Sequence, residues 1–230
     1  MLSIFNLRFH MIKAVFIDYT GTTVYQTGNE MDEIVSLVKH HSDFESDKDI
    51  LKFFYKTRVE REESYYLDTY KTEDEIIDEQ LEILSKEHKF TLKHNVIKDL
   101  VHQFWENTPV YEDAVEFFKQ CPLPIYVLTN NGKEFVEKTL NHHSLKCTEI
   151  ISSDDVKAYK PKKELFEKAL SVANVKPEEV IHIGDSWSND VLGAQNSKIE
   201  AIWLMRNKET PKEGVLCIKS LIECLKILKQ

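Results

Sequence analysis

The sequence predicts a parallel α/β sheet carrying a large all-helical insert, on three observations. Residues 14–17, 125–128 and 180–183 form short apolar runs, the last interrupted only by His182, with the look of strands buried on both faces of a parallel sheet. Stretches of helical periodicity alternate with these runs, and such alternation means parallel strands joined by crossovers. Between the first and second runs there is no strand signal, no glycine from Gly28 to Gly132 and no proline before Pro109. A stretch so free of breakers reads as helices alone.

The elements follow in order. The first strand ends at Asp18 and turns through Tyr19-Thr20-Gly21-Thr22-Thr23, where Gly21 permits a sharp turn and a close backbone approach. Residues 24–28 read as a flap leaving that strand end. Helices are expected over 30–41, 47–66, 72–88 and 95–105. In the second of these, Ile50, Leu51, Phe53, Phe54, Thr57 and Val59 define the expected buried side. Thr72-Glu73-Asp74-Glu75 has the form of a capping box. Asn107-Thr108-Pro109 breaks the last of them and returns the chain to the sheet. Then come a helix over 111–120, a strand ending at Thr129-Asn130, a helix over 132–142 and a strand over 147–152. Asp154 and Asp155 read as turn or helix-start residues. A helix over 163–173 and strands over 180–184, 200–204 and 215–218 complete the chain. The core is therefore expected over 1–21 and 107–230, and the helical insert over 22–106.

Composition narrows the function. At 230 residues the chain can hold one core plus an insert. Its formal charge of −9 leaves no basic footprint for nucleic acid. Cys121, Cys147, Cys217 and Cys224 are not spaced as a zinc site or a disulfide frame, and four thiols suit a reducing cytosol. No run approaches membrane-spanning length. The first ten residues carry only Arg8 and His10 as basic groups and do not read as a secretory signal; Met11 has the look of a natural start.

The chemistry-bearing residues gather at strand ends. Asp18 is a candidate nucleophile or metal ligand; equally, a strand-end aspartate caps turns. Thr129 and Asn130 close the second strand, Lys160-Pro161 precedes the helix over 163–173, and Gly184-Asp185-Ser186 is followed by Asn189-Asp190. One parallel sheet brings these ends to one edge, where carboxylates, a hydroxyl and an ammonium can hold Mg²⁺ and a phosphoryl group together. Each has a plainer reading too. Lys160 alone is an ordinary loop lysine, Thr129 satisfies a strand-end backbone group, and Asp190 caps a helix. His182 reads as structural, the pairs His40-His41 and His142-His143 as solvated helix ends, and Trp187 and Ser188 as pocket lining or packing.

Together these motifs resemble the haloacid dehalogenase superfamily: Asp18-Tyr19-Thr20-Gly21-Thr22, Thr129-Asn130, Lys160-Pro161 and Gly184-Asp185-Ser186-Trp187-Ser188-Asn189-Asp190 stand in its order and spacing. The resemblance covers roughly residues 12 to 218. It implies a Rossmann-like core with a helical cap, and a Mg²⁺-dependent hydrolase of small phosphorylated metabolites. By the same resemblance, Asp18 attacks phosphorus, and Mg²⁺ sits between Asp18, the Thr20 backbone carbonyl and Asp185, with Asp190 binding it or orienting its waters. Thr129 and the backbone near Asn130 bind phosphoryl oxygens, and Lys160 offsets charge.

The sequence departs from the family at Thr20, where most of its phosphatases carry a second aspartate that protonates the leaving oxygen and then activates water. The resemblance therefore implies slow turnover of simple monoesters. Two alternatives stand beside it. Asp18-Tyr19-Thr20-Gly21-Thr22-Thr23-Val24 looks like the opening of phosphonoacetaldehyde hydrolases, which need a cap lysine, for which Lys39, Lys52 and Lys56 are available. The other is a low-activity binding or regulatory protein of the same fold. Arg58 and Arg61 are candidates for reaching an anionic substrate or for simple solvation, and Tyr19, Tyr65 and Tyr66 for lining the mouth or packing.

Overall fold

Six strands, β1 (Ala14–Asp18), β2 (Ile125–Thr129), β3 (Glu149–Ser152), β4 (Val180–Gly184), β5 (Glu200–Leu204) and β6 (Leu216–Ile218), form one parallel sheet. Their order is β3-β2-β1-β4-β5-β6. The protein was studied as a computed structural model that describes residues 12–26, 28–207 and 209–228; the expectations about the leader and Met11 fall outside them.

The strands are apolar throughout because both faces are covered. Alternation divides the sheet into two cores. Val15, Ile17, Val127, Ile181, Ile183 and Ile202 face helices α5 (Glu112–Gln120) and α10 (Leu221–Leu228). Ala14, Phe16, Tyr126, Leu128 and Val180 face α8 (Lys163–Ala173) and the short α9 (Gly193–Asn196). Helix α6 (Lys133–His142) follows β2 and the one-turn α7 (Ser153–Val156) follows β3.

Four helices, α1 (Asn29–His41), α2 (Asp47–Ser64), α3 (Glu73–Glu87) and α4 (His94–Asn107), fill the space between β1 and β2. They bury their own core of Ile34, Val38, Ile50, Leu81, Leu84 and Ile97. The expected capping box is present: Thr72 Oγ1 accepts from the Glu75 N–H, and Glu75 accepts from the Thr72 N–H at 2.8 Å. Leu51 departs from expectation, being half exposed while Ile50 and Thr57 are buried. The apolar pairs in α2 span more than one helical face, so only part of the stripe meets the other helices. Ser152 and Asp155 form a further capping box, which turns the Asp154-Asp155 stretch into α7.

The insert leaves and rejoins the sheet through two chains bonded to each other. Tyr25 N–H donates to the Pro109 carbonyl at 2.9 Å, and Tyr111 N–H to the Thr23 carbonyl at 3.1 Å. Val24 belongs to the sheet's core rather than the insert's, so apolar packing of the insert begins after the flap. The turn after α2 is laced to the other side of the site. Leu67 N–H donates to the Lys157 carbonyl at 2.8 Å, Tyr70 Oη to Asp154 at 2.6 Å and Tyr159 Oη to the Lys71 carbonyl at 2.8 Å.

Candidate active site

The sheet order reverses direction around β1, whose neighbours are β2 on one side and β4 on the other. Open α/β sheets place ligand chemistry at the carboxyl ends of strands on either side of such a reversal. Asp18 ends β1, Thr129 ends β2 and Asp185 follows β4 directly. The structure therefore brings the sequence-selected residues to one edge.

Lys160 reaches this edge from the loop before α8. Its Nζ donates to Asp18 Oδ1 at 2.6 Å, Asp190 Oδ1 at 2.7 Å and the Leu128 carbonyl at 3.1 Å. All three ionic groups are almost wholly buried. Asn130 fixes the loop by accepting from the Lys160 N–H at 2.7 Å. The Lys160-Pro161 bond is cis.

Asp18, Asp185 and Asp190 each offer a carboxylate oxygen within 4.8 Å of the others. Burial first, then the charges of Asp18 and Asp190, pushes the Asp185 carboxyl up to about 8. Burial and the Asp190 charge likewise raise Asp18, against the pull of Lys160. Burial acts on Asp190 too, but Lys160 and His182 more than offset it and hold its carboxyl at about 2. Like charges packed this closely favour a cation between them. Asp18 Oδ2 is buried with no hydrogen-bond partner, and Asp185 contributes a second oxygen-only donor. Hard oxygen donors of this kind fit a divalent ion such as Mg²⁺ better than zinc.

Asp190 is more committed than its neighbours. Its Oδ1 takes Lys160 and His182, the latter at 3.1 Å, and its Oδ2 accepts from the Ser186 N–H at 3.0 Å. This ties it to the positioning of Lys160 and of the loop after β4. His182 is fully buried within that sheet face and packs edge-on against Phe166, in keeping with a structural residue. Two glycines make these approaches possible. A β-carbon on Gly21, whose φ is 89°, would sit 2.4 Å from Asp185 Oδ2. One on Gly184 would lie 2.2 Å from the Asp190 carboxyl carbon.

Several contacts of the motif residues carry no sequence signal. Thr22 Oγ1 accepts from the Asp185 N–H at 3.0 Å, and Trp203 Nε1 donates to the Asp185 carbonyl at 2.8 Å. Arg206 donates to the Thr22 carbonyl at 2.7 Å. Thr20 Oγ1 donates to Asn131 Oδ1 at 2.7 Å, as does Thr129 Oγ1 at 3.0 Å. Asn131 in turn donates to the Glu73 carboxyl of the insert at 3.0 Å. Asn131 adjoins a motif in the sequence; the sequence signal at Glu73 is that of a capping-box residue alone.

Other candidates fall elsewhere. Arg61 pairs with Glu79 at 2.9 Å inside the insert, and Tyr65 bonds the same carboxylate. Tyr19 is buried in the sheet core, Tyr66 bonds Glu164 and Trp187 packs against Trp203. Lys39, Lys52 and Lys56 are exposed, with Lys39 on Asp47 and Lys56 near Glu60.

Residues 12–198 match the family model for haloacid dehalogenase-like hydrolase. The chain belongs to the haloacid dehalogenase-like hydrolases. A pyrophosphatase PpaX from Bacillus cereus strain Q1 is 29% identical over 165 residues, spanning 63% of this chain and 73% of the relative. Among solved structures, the putative HAD-hydrolase YfnB from Bacillus subtilis, bound to magnesium, superposes with TM-score 0.76 at 19% identity over 95% of this chain and 99% of its own. The L-2-haloacid dehalogenase from Xanthobacter autotrophicus does so with TM-score 0.75 at 15% identity, over 95% of this chain and 98% of its own. At these identities the structural likeness establishes the fold: a Rossmann-like core with a helical cap, as the motifs implied.

Proposed function

We propose that this haloacid dehalogenase-like hydrolase is a Mg²⁺-dependent phosphohydrolase of a small phosphorylated metabolite, working through an aspartyl-phosphate on Asp18. The observation that carries this reading is the division of labour at Asp18. Oδ1 is held by Lys160, while Oδ2 is buried and unpartnered, as an attacking atom is. The pyrophosphatase named among the relatives supports phosphorus chemistry.

Asp18, Asp185 and the Thr20 backbone carbonyl would hold Mg²⁺, which when bound supplies a positive charge that polarises the phosphoryl group. Asp190 serves that site mainly by holding Lys160. The backbone N–H groups near Asn130 bind phosphoryl oxygens, joined by Thr129 Oγ1 once its proton turns from Asn131 to the substrate. Lys160 lowers the repulsion between the Asp18 carboxylate and the incoming phosphate. The cap, residues 22–106, excludes water when closed over these groups. The four thiols favour a cytoplasmic setting, and neither nucleic acid nor a membrane is a partner in this reading. No helix among the described residues is long and apolar enough to cross a membrane.

Thr20 has no titratable proton near neutral pH, so turnover of simple monoesters is slower than an aspartate at this position would give. General acid–base assistance contributes roughly 10²–10⁴-fold. A panel of phosphate esters and pyrophosphate assayed with Mg²⁺, with acid-quench mass spectrometry for a phosphoenzyme, tests the reading. Phosphate release and a modified Asp18 are expected; neither appearing on any substrate would remove it. Thr20→Asp is expected to raise turnover of phenyl phosphate, whose leaving group needs a proton, and a fall would remove this account of Thr20.

A further inference from the structure

Resting on the phosphohydrolase reading, we infer that Glu73 of the cap is the acid–base residue of this site, reaching the leaving oxygen from the cap where the family's phosphatases use an aspartate at position 20. Two features of the geometry meet here. Thr20 and Thr129 both donate to Asn131 Oδ1, so Asn131 borders the proposed phosphoryl site. Glu73 is seated on the amide of Asn131, at 3.0 and 3.2 Å, and among the described residues its hydrogen bonds go to Asn131 alone. Its position is therefore two hydrogen bonds from the threonine that displaced the usual acid.

Glu62, from the end of α2, is the second, independent observation. It is buried, faces Asn130 and Lys160, and its Oε1 has no hydrogen-bond partner, with Arg58 Nε 3.8 Å away. Two cap carboxyls thus lie buried over the consecutive residues Asn130 and Asn131. Burial without a full set of partners makes a carboxyl hold its proton more tightly. Burial first, then the Glu62 charge, pushes Glu73 up to about 8, with Asp154 and Tyr159 also facing it and Arg58 and Asn131 pulling the other way. Glu73 accordingly carries a proton at neutral pH and is matched to acid–base work there.

The steps balance. As the Asp18 Oδ2–phosphorus bond forms and the ester P–O bond breaks, the Glu73 proton passes to the departing oxygen, which leaves as a neutral alcohol. The Glu73 carboxylate then takes a proton from water as the water oxygen bonds to phosphorus. The phosphorus–Asp18 bond breaks, which frees Asp18 and inorganic phosphate. The substrates that gain most are those with a poor, alkoxide-like leaving group. Glu73 rides on the cap, so proton transfer is available only when the cap is closed.

The test compares phenyl phosphate with p-nitrophenyl phosphate, whose leaving group needs no proton, in Mg²⁺-loaded full-length protein. In single turnover, Glu73→Gln is expected to slow phosphoenzyme formation, the step that expels the leaving group, about 10²-fold from phenyl phosphate and less than about tenfold from p-nitrophenyl phosphate. It should also remove the fall in rate above about pH 8 that titration of Glu73 predicts for the wild type. Adding Thr20→Asp to Glu73→Gln should restore phenyl phosphate turnover, because the proton then comes from the core. Glu62→Gln, which leaves Glu73 in place, should move the alkaline fall to lower pH. Equal losses on both esters, or no recovery with Thr20→Asp, would show Glu73 to be only a latch on Asn131 and would overturn the inference. Wild-type protein that releases no phosphate from either ester or from pyrophosphate would overturn the phosphohydrolase reading itself, a different result.

Discussion

Lys160 donates to Asp18 at 2.6 Å although 142 residues separate them in the chain. The contact is almost dry, and Asp190 takes the same ammonium on its other side. One cation therefore serves two carboxylates. That ratio makes the site both reactive and sensitive to substitution.

Lys160→Met tests the ratio. It leaves Asp18 and Asp190 buried without their cation, and breaking a buried ion pair from one side costs about 3–5 kcal/mol. Turnover should fall at least about 10²-fold, as when a charge-stabilising donor is lost. Urea unfolding read alongside kcat checks both. The two carboxylates raise the Lys160 pKa above its usual value against the opposing effect of burial. Its contribution to stability is therefore present below the ordinary lysine value and is lost as pH rises through the folded one.

Asp18→Asn should separate chemistry from stability. Without the carboxylate no phosphoenzyme forms, and acid-quench mass spectrometry should find none. Yet the folded pKa of Asp18 is raised by burial and by Asp190, so its ionised form is a liability in metal-free protein at neutral pH. The variant should melt at or above the wild-type temperature without Mg²⁺. A clear drop in melting temperature would contradict the charge balance described above.

Metal removal is the third case. EDTA should abolish turnover. Mg²⁺ should raise the wild-type melting temperature, by the equivalent of about 2.7 kcal/mol when present at 100 times its dissociation constant. Asp185→Asn should lose most of that increment, since Asp185 is the partly exposed member of the carboxylate set. Differential scanning fluorimetry across a Mg²⁺ titration reads the difference, and an unchanged increment would remove Asp185 from the metal site.

Glu73 predicts a pH dependence of stability. Its folded pKa of about 8 lies above the ordinary 4.5, so between those values the folded protein binds more proton than the unfolded chain. Stability should therefore be greatest on the acid side of this window and decline as pH rises from about 4.5 to about 8. Glu73→Gln should flatten that decline. Melting curves at half-unit pH steps, without Mg²⁺, measure it; parallel slopes in the two proteins would contradict it.

The sequence by itself determined the strands, the helical insert and the four motif stretches. Each depends on local pattern: apolar runs for buried strands, period 3.6 for helices, and Gly21 for the turn beyond Asp18. It also marked Asp18, Thr129, Lys160 and Asp185 as residues for one strand edge, because parallel topology sends every strand end the same way. Tertiary structure alone decided how the charges are shared. That Asp190 takes Lys160, His182 and the Ser186 N–H, and that Arg61 spends its charge on Glu79, depends on which side chains meet across the fold. The same holds for Glu62 and Glu73, which in sequence are ordinary polar residues of helices. Only cap packing buries them over Asn130 and Asn131, and burial, which no local pattern records, changes what a carboxyl can do.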